Sequence, residues 1–449
     1  MTNALTIAKF GGTSVANYAA MQNCARIVAG NPETRIVVVS ASAGVTNYLV
    51  SLAHTAMTQE QIAQTCQAIE DIERAILACL KDATEVEPKL NDLLDEMRAL
   101  ALHEEVIHRN DLKDALLSMG ERMSSLLFSA VLAEEQVNTM NFDVRKVLRT
   151  DSEFGAAAPQ LEDIAALSEK LLRPEIDNAI VVTQGFVGAD EEGRTTTLGR
   201  GGSDFTAALL AEALNAGVCE IWTDVIGVYT TDPRITDAAR PLPELSFEEA
   251  AEMATFGAKV LHPATMEPAL RKDIRVFVGS SKEPEKGGTW IMRDCKEEPP
   301  YRAITRRKEQ VMVTVKTPKM MYAQGFLQQV FAIIAKHKLS VDLVTTSEIS
   351  VSFTLDNPAN SVAQRLNKET IAELETLCDV TVESGYDLVT VVGNHMQTSK
   401  GVSSKIFAAV SEYNLRMICF GANPHNMSFL VNETDSGDIV KGLHKSLFE

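Results

Sequence analysis

Three features of the 449-residue chain predict an α/β protein followed by a pair of smaller α+β units. Short β-rich runs in the first 295 residues each lead through glycine or small polar residues into a helical pattern, the grammar of a mostly parallel sheet. The stretch 51–135, dominated by Ala, Leu, Glu and Gln with apolar residues three and four apart, predicts a helical block. Beyond residue 300 the strand and helix signals follow the order βαββα and then nearly repeat it.

In chain order, strands are expected at 5–10, 35–40, 179–184 and 219–223, so the loops after them should form the site. Within the helical block, His103 and His108 resemble a zinc-protease pair but stand five apart, so on a helix they diverge and read as a solvated face. Composition shifts near Ser280, and Glu297-Glu298-Pro299-Pro300 reads as a linker. The first repeat has strands at 311–316, 340–345 and 349–355, helices at 325–336 and 361–377, and a closing strand at 380–383. The second has segments 388–393, 401–413, 415–421, 427–431 and 437–447 and lacks one strand, which residues 301–307 can supply. The expected domains are therefore 1–295, 308–385 and 386–449, the last completed by 301–307.

A net charge of −19 and a pI near 5 exclude overall attraction to nucleic acid or anionic lipid and favour small-molecule work. The seven cysteines form no Cys-x-x-Cys pair, which argues against zinc clusters and suggests a reducing compartment. No leader and no run of about 18 apolar residues is evident, so a cytoplasmic protein is expected.

The loops carry the chemistry. Thr195 to Asp204 reads Thr-Thr-Thr-Leu-Gly-Arg-Gly-Gly-Ser-Asp and runs into a helix: glycines allow close backbone approach, helix-start N–H groups face anions, and Arg200 adds a cationic fork. The plainer alternative is an ordinary serine cap at Ser203. Lys9-Phe10-Gly11-Gly12-Thr13-Ser14 follows the first strand, where an ammonium and backbone donors can converge on phosphate oxygens. Neither a Walker A loop nor a dinucleotide fingerprint occurs. Ser40 to Asn47 is a second hydroxyl-rich turn, and Thr223-Asp224 ends another strand before Tyr229, Asp232 and Arg234. Phe256 to Pro263 contributes Lys259.

Taken together, these strings closely resemble aspartokinases over essentially the whole chain, and most closely the lysine-sensitive branch. The resemblance implies an amino-acid-kinase-type αβα sandwich with two ferredoxin-like ACT domains. The implied reaction moves the γ-phosphate of ATP, carried with Mg²⁺, to the β-carboxylate of L-aspartate, giving 4-phospho-L-aspartate. The implied partners are aspartate, ATP and an inhibitory lysine, with a homodimer formed through the ACT domains and a tetramer left open.

By resemblance, Lys9 stabilises the transferring phosphoryl group, with Phe10, Gly11 and Gly12 beside it, and Lys259 with Val260 is its counterpart on the nucleotide side. Thr223, Asp224, Tyr229 and Arg234 match nucleotide positions, while Asp204 orients the cationic groups or helps position magnesium. Aspartate is held by Arg200 through its α-carboxylate, by Glu121 through its ammonium, and by Thr46, Gly201, Gly202 and Ser203. Without the resemblance, Glu121 reads as a solvated carboxylate in a helix start capped by Ser118. The effector site implied for lysine comprises Met320, Ala323, Phe326, Leu327, Ser340, Asp342, Ser347 and Glu348, with the two acids meeting the two ammonium groups; Ala323 departs from a serine expected there. The competing readings are a kinase of the same fold acting on another carboxylate, and a non-catalytic ACT sensor.

Overall fold

The computed structural model describes residues 5–258, 263–322, 324–356 and 366–449. The chain forms two compact units: Met1–Val228 with Pro241–Phe247 and Lys259–Cys295, and Tyr229–Arg240 with Glu248–Ala258 and Lys296–Glu449. The first is not the uninterrupted block 1–295, because 229–240 and 248–258 group with the second. Those groupings rest on contacts distant in sequence, which local patterning cannot encode.

The strands of the first unit are β1 (Thr6–Phe10), β2 (Thr34–Val39), β3 (Thr139–Phe142), β4 (Ile180–Gln184), β5 (Val187–Ala189), β6 (Thr195–Thr197), β7 (Val218–Thr223), β8 (Glu244–Ser246), β9 (Arg275–Ser280) and β10 (Gly288–Met292). Eight of them form one sheet in the order β3-β4-β2-β1-β7-β9-β10-β8, parallel from β3 through β9, with β10 antiparallel to β9. β1, β2 and β4 are buried almost throughout because helices cover both faces.

The helical block covers one face as Val45–His54, Gln59–Leu77, Val86–Ala101, Asn110–Leu117 and Met119–Ala133, joined by Tyr18–Gly30; Leu49, Ile69, Leu94, Leu127 and Phe128 pack there. The segment 103–108 forms turns rather than the expected helix, with both histidines exposed. On the other face lies Gly202–Ala213. β5 and β6 form a separate hairpin that carries the chain from β4 to that helix.

In the second unit, β11 (Ala303–Lys316), β12 (Val341–Thr346), β13 (Ser350–Asp356), β14 (Asp379–Val392), β15 (Leu415–Phe420) and β16 (Asn426–Asn432) form an antiparallel sheet ordered β12-β13-β11-β14-β16-β15. Each of β11 and β14 is one strand of 14 residues where the sequence suggested two. The interruptions are kinks inside paired strands: Glu309 has φ 60°, Gly385 has φ 86°, and the register shifts between Arg307 and Gln310. Helices Phe326–Lys336 and Lys368–Glu375 cover one half over Val313, Val351 and Phe353, while Val402–Ala409 and Ser436–Phe448 cover the other over Val389, Phe429 and Val431. Residues 303–307 pair with 388–392 in that second half.

Candidate functional site

The site is built at the carboxyl ends of the parallel strands, where β1 sits between β2 and β7. At the end of β1, Lys9 is buried and its Nζ lies 2.6 Å from Asp204 Oδ1, an acid in the first turn of the helix Gly202–Ala213. This is a close ion pair without hydrogen-bond alignment at that oxygen. Lysine and acid therefore come from segments almost two hundred residues apart and hold each other's geometry.

The turn after β1 is tight for a physical reason: a Cβ on Gly12 would sit 2.9 Å from the Ala41 carbonyl, so the β1 and β2 loops can touch only without a side chain. Gly11 donates its N–H to the Trp222 carbonyl at 3.1 Å, which engages the donor expected to face phosphate. Phe10 contributes its backbone to the turn, while its ring is fully buried, stacked with Phe128 and Trp222 at 5.7 and 6.3 Å.

The anion-compatible loop after β6 differs from a serine-capped helix. Gly201, with φ 75°, is the N-cap and makes no side-chain capping bond, so Ser203 lies inside the first turn. Ser203 packs so closely on Gly185 that a Cβ there would meet it at 2.5 Å. Arg200 is exposed with no acidic partner among the described residues. The loop's entry is fixed by Asp114, which accepts from Thr197 N at 2.8 Å, Thr197 Oγ1 at 3.0 Å and Gly155 N at 2.9 Å. Burial pushes the Asp114 carboxyl up to about 6 despite these bonds.

Glu121 is 5 % exposed, which corrects the solvated reading: it lies in the first turn of Met119–Ala133, and Ser118 donates to Ala115 O instead of capping. Burial pushes its carboxyl up to about 8, opposed by an N–H from Ala41 and by the charge of Lys9. Thr46 is exposed in the first turn of Val45–His54, whose N-cap Gly44 has φ 90°. Behind Glu121 stands Glu73, which the sequence reading missed. It is fully buried, its Oε2 accepting from Ser42 Oγ at 3.3 Å. Its signal was present: in the apolar stripe Cys66, Ile69, Ile76, an acid occupies the place where the spacing demands a fourth apolar residue.

Thr223 ends β7, with its hydroxyl 3.3 Å from Asp224, which is exposed. Tyr229 and Arg234 belong to the second unit, where Arg234 pairs with Asp232 at 2.7 Å. Lys259 and Val260 lie outside the described residues, as does Ala323. Of the effector residues, Asp342 pairs with Arg307 at 3.1 Å, and burial raises its carboxyl. Phe326 is buried in a core with Met320 packed against it, whereas Leu327, Ser340, Ser347 and Glu348 are exposed. The acids therefore do not serve as simple turn caps: one is paired across strands and the other faces solvent.

Known proteins match the chain along nearly its whole length. Residues 4–280 match the amino acid kinase family and residues 389–447 an ACT domain. The chain is 47 % identical over 447 residues to the lysine-sensitive aspartokinase 3 of Escherichia coli, covering 99 % of each. Aspartokinase III of E. coli in complex with aspartate and ADP (R-state) superposes with a TM-score of 0.92 at 46 % identity, covering 99 % of this chain and 100 % of that one. The same enzyme with lysine and aspartate (T-state) gives 0.84 at 47 % identity over the same shares.

Proposed function

From a chain that belongs to the aspartokinases, within the amino acid kinase family, we infer that this protein transfers the γ-phosphate of ATP to the β-carboxylate of L-aspartate and is inhibited by L-lysine. The carboxylate is already ionised at neutral pH, so no general base is required. Catalysis reduces to aligning two anions and cancelling their repulsion as the phosphoryl group moves. The observation that carries this reading is the buried Lys9–Asp204 pair at the meeting of two anion-compatible loops, with Arg200 left open beside it in sequence.

Lys9 opposes the charge that develops on the phosphoryl oxygens, and Asp204 fixes where its ammonium stands. Arg200 grips the α-carboxylate of aspartate, Glu121 meets its ammonium, and Thr46 and Ser203 offer hydroxyls. Thr223 and Asp224 take the nucleotide; Tyr229, Arg234, Lys259 and Val260 are assigned to it from their motifs. Mg²⁺ arrives with ATP and offsets phosphate charge. Lysine is assigned to Asp342 and Glu348, with Met320, Ala323, Phe326, Leu327, Ser340 and Ser347 around them. Exposed apolar residues on the edge strands β12 and β15, Val344, Ile418 and Phe420, support a homodimer formed through the ACT sheet. The acidic pI and seven free cysteines suit the cytoplasm.

Aspartate-dependent ADP release tests the reading. Lys9→Ala should lower kcat by about 10²–10³, and Arg200→Ala should chiefly raise the KM for aspartate. Full activity in either variant rejects the assigned roles, and turnover without aspartate rejects the substrate.

A further inference from the structure

We propose that Glu73 is a positioning residue of the aspartate site: it stays protonated behind an ionised Glu121, so that the two carboxyl groups together present one negative charge to the substrate's one ammonium group. The proposal rests on the assignment of Glu121 to that ammonium and goes beyond it.

The geometry comes first. Two residues of the loop after β2 are held from the helical block: Ser40 O accepts from Ser124 Oγ at 2.7 Å, and Ser42 Oγ donates to Glu73 Oε2 at 3.3 Å, while the Ala41 backbone N–H between them favours the ionised form of Glu121. Gly120 adds to the fit, because a Cβ there would meet the Ala41 Cβ at 2.7 Å. Both acids thus act on one short loop, which leads directly to Thr46. Glu73 is 0 % exposed, and its second oxygen, Oε1, has no hydrogen-bond partner among the described residues. An ionised carboxylate with one long hydrogen bond in a dry wall is poorly stabilised, whereas a protonated one tolerates the place.

The surrounding charges decide which acid keeps its proton. Glu121 has Lys9 at hand and an amide donor, both of which favour its ionised form. Among the described residues Glu73 has only the Ser42 hydroxyl, and the charge of Glu121 works against a second ionisation. Burial raises both carboxyls, and because the cation and the amide stand beside Glu121, the proton shared by the pair rests on Glu73. Among the described residues, the packed helices supply no rescuing cation. Arg98 of Val86–Ala101 and Arg74 are engaged by Glu70, one turn earlier. Arg122 pairs with Glu96. The buried residues of Val45–His54 are Val45, Leu49, Leu52 and Ala53, and those of Tyr18–Gly30 are Met21, Cys24, Ala25 and Val28, with the Cys24 thiol itself pushed up to about 12.

Ionisation of Glu73 at alkaline pH should then add an unmatched charge to the wall and disturb the loop. The test is kcat/KM for aspartate between about pH 6 and 10, which reports groups of the free enzyme. In the full-length wild type it should fall above about pH 8. Glu73→Gln, a permanent mimic of the protonated acid, should move that alkaline limb up by about one unit or more. Ser42→Ala, which leaves the helix untouched and removes the donor that favours ionisation, should move it in the same direction. The infrared spectrum of the wild type at pH 7 should contain a protonated-carboxyl stretch that Glu73→Gln lacks.

An alkaline limb unmoved in both variants overturns the proposal. So does a neutral-pH loss in Glu73→Gln as large as that in Glu73→Ala, since an ionised Glu73 would then be needed. Glu121→Gln separates the two layers: an unchanged KM for aspartate defeats the ammonium assignment, whereas a raised KM with an unmoved limb in Glu73→Gln defeats only the pairing.

Discussion

In the second unit, Glu249 is fully buried and meets Arg302 Nε at 2.6 Å, with Asn394 donating to the same carboxylate oxygen; Asn423 and Asn426 both donate to its neighbour Glu252. In the first unit, Glu73 is just as buried and meets one hydroxyl, while Glu121 and Asp204 border groups assigned to substrates. Glu249 and Glu252 in the second unit are met by matched donors, whereas Glu73 in the first leaves capacity open. The difference follows from what must enter. A group reserved for a ligand cannot be saturated beforehand, so its desolvation cost stays in the free protein. A group with no ligand to wait for can be neutralised once, at folding, and then fixes how its helix sits.

The largest expected effect breaks the saturated side. Arg302→Met removes the cationic partner of the buried Glu249, and losing one partner of a buried pair costs about 3–5 kcal/mol. Chemical denaturation of the full chain should show that loss in the transition of the second unit. A loss of less than about 1 kcal/mol would mean that the pair is incidental and the contrast between the units false.

The next effect has the opposite sign. Burial raises the Glu73 carboxyl from an ordinary 4.5 to about 8. A carboxyl raised in the folded state binds its proton more tightly there than in the unfolded chain, so stability declines as pH climbs from about 4.5 towards 8. Glu73→Gln removes that decline. Allowing for the amide that must still be buried, the variant should be more stable by about 1–2 kcal/mol at pH 7. Thermal melts at pH 6, 7 and 8.5 would show the gap widening with pH. A variant less stable at every pH would place Glu73 among the saturated acids.

The same physical contrast explains what the sequence disclosed. β1, β2, β4 and β7 were legible to within a residue because they are short β-rich segments, each followed by small or polar loop residues. The site loops were legible because glycine and hydroxyl clusters after strands leave a local trace. Burial of charge leaves almost none. Nothing near Glu121 distinguishes it from a solvated acid, since its surroundings come from β1 and the β2 loop more than seventy residues away. Glu73 betrayed itself only by interrupting an apolar stripe. The kinks at Glu309 and Gly385 looked like strand ends because a left-handed residue inside a strand carries the same sequence signal as a turn. The helix Gly202–Ala213 was anticipated from Ser203 onward; the plainer alternative of a cap at Ser203 fails because Gly201 is the cap, and the crowding of Ser203 against Gly185 appears only in three dimensions.

The smallest effect sharpens the contrast inside the second unit. Asp342 is partly saturated by Arg307, so removing it would also strand an arginine and confuse binding with folding. Glu348 lies exposed in the turn between β12 and β13, with no basic partner to strand among the described residues. An exposed ion pair with a lysine ammonium is worth about 0.2–1 kcal/mol. Glu348→Ala should therefore raise the lysine concentration for half inhibition by only about two- to fivefold, with stability unchanged within error. Lysine titrations of aspartate-dependent ADP release would measure it. An unchanged inhibition curve would remove Glu348 from the effector site. A shift of a hundredfold would mean that this turn closes over the ligand, so that an acid open in the free protein is desolvated only in the complex.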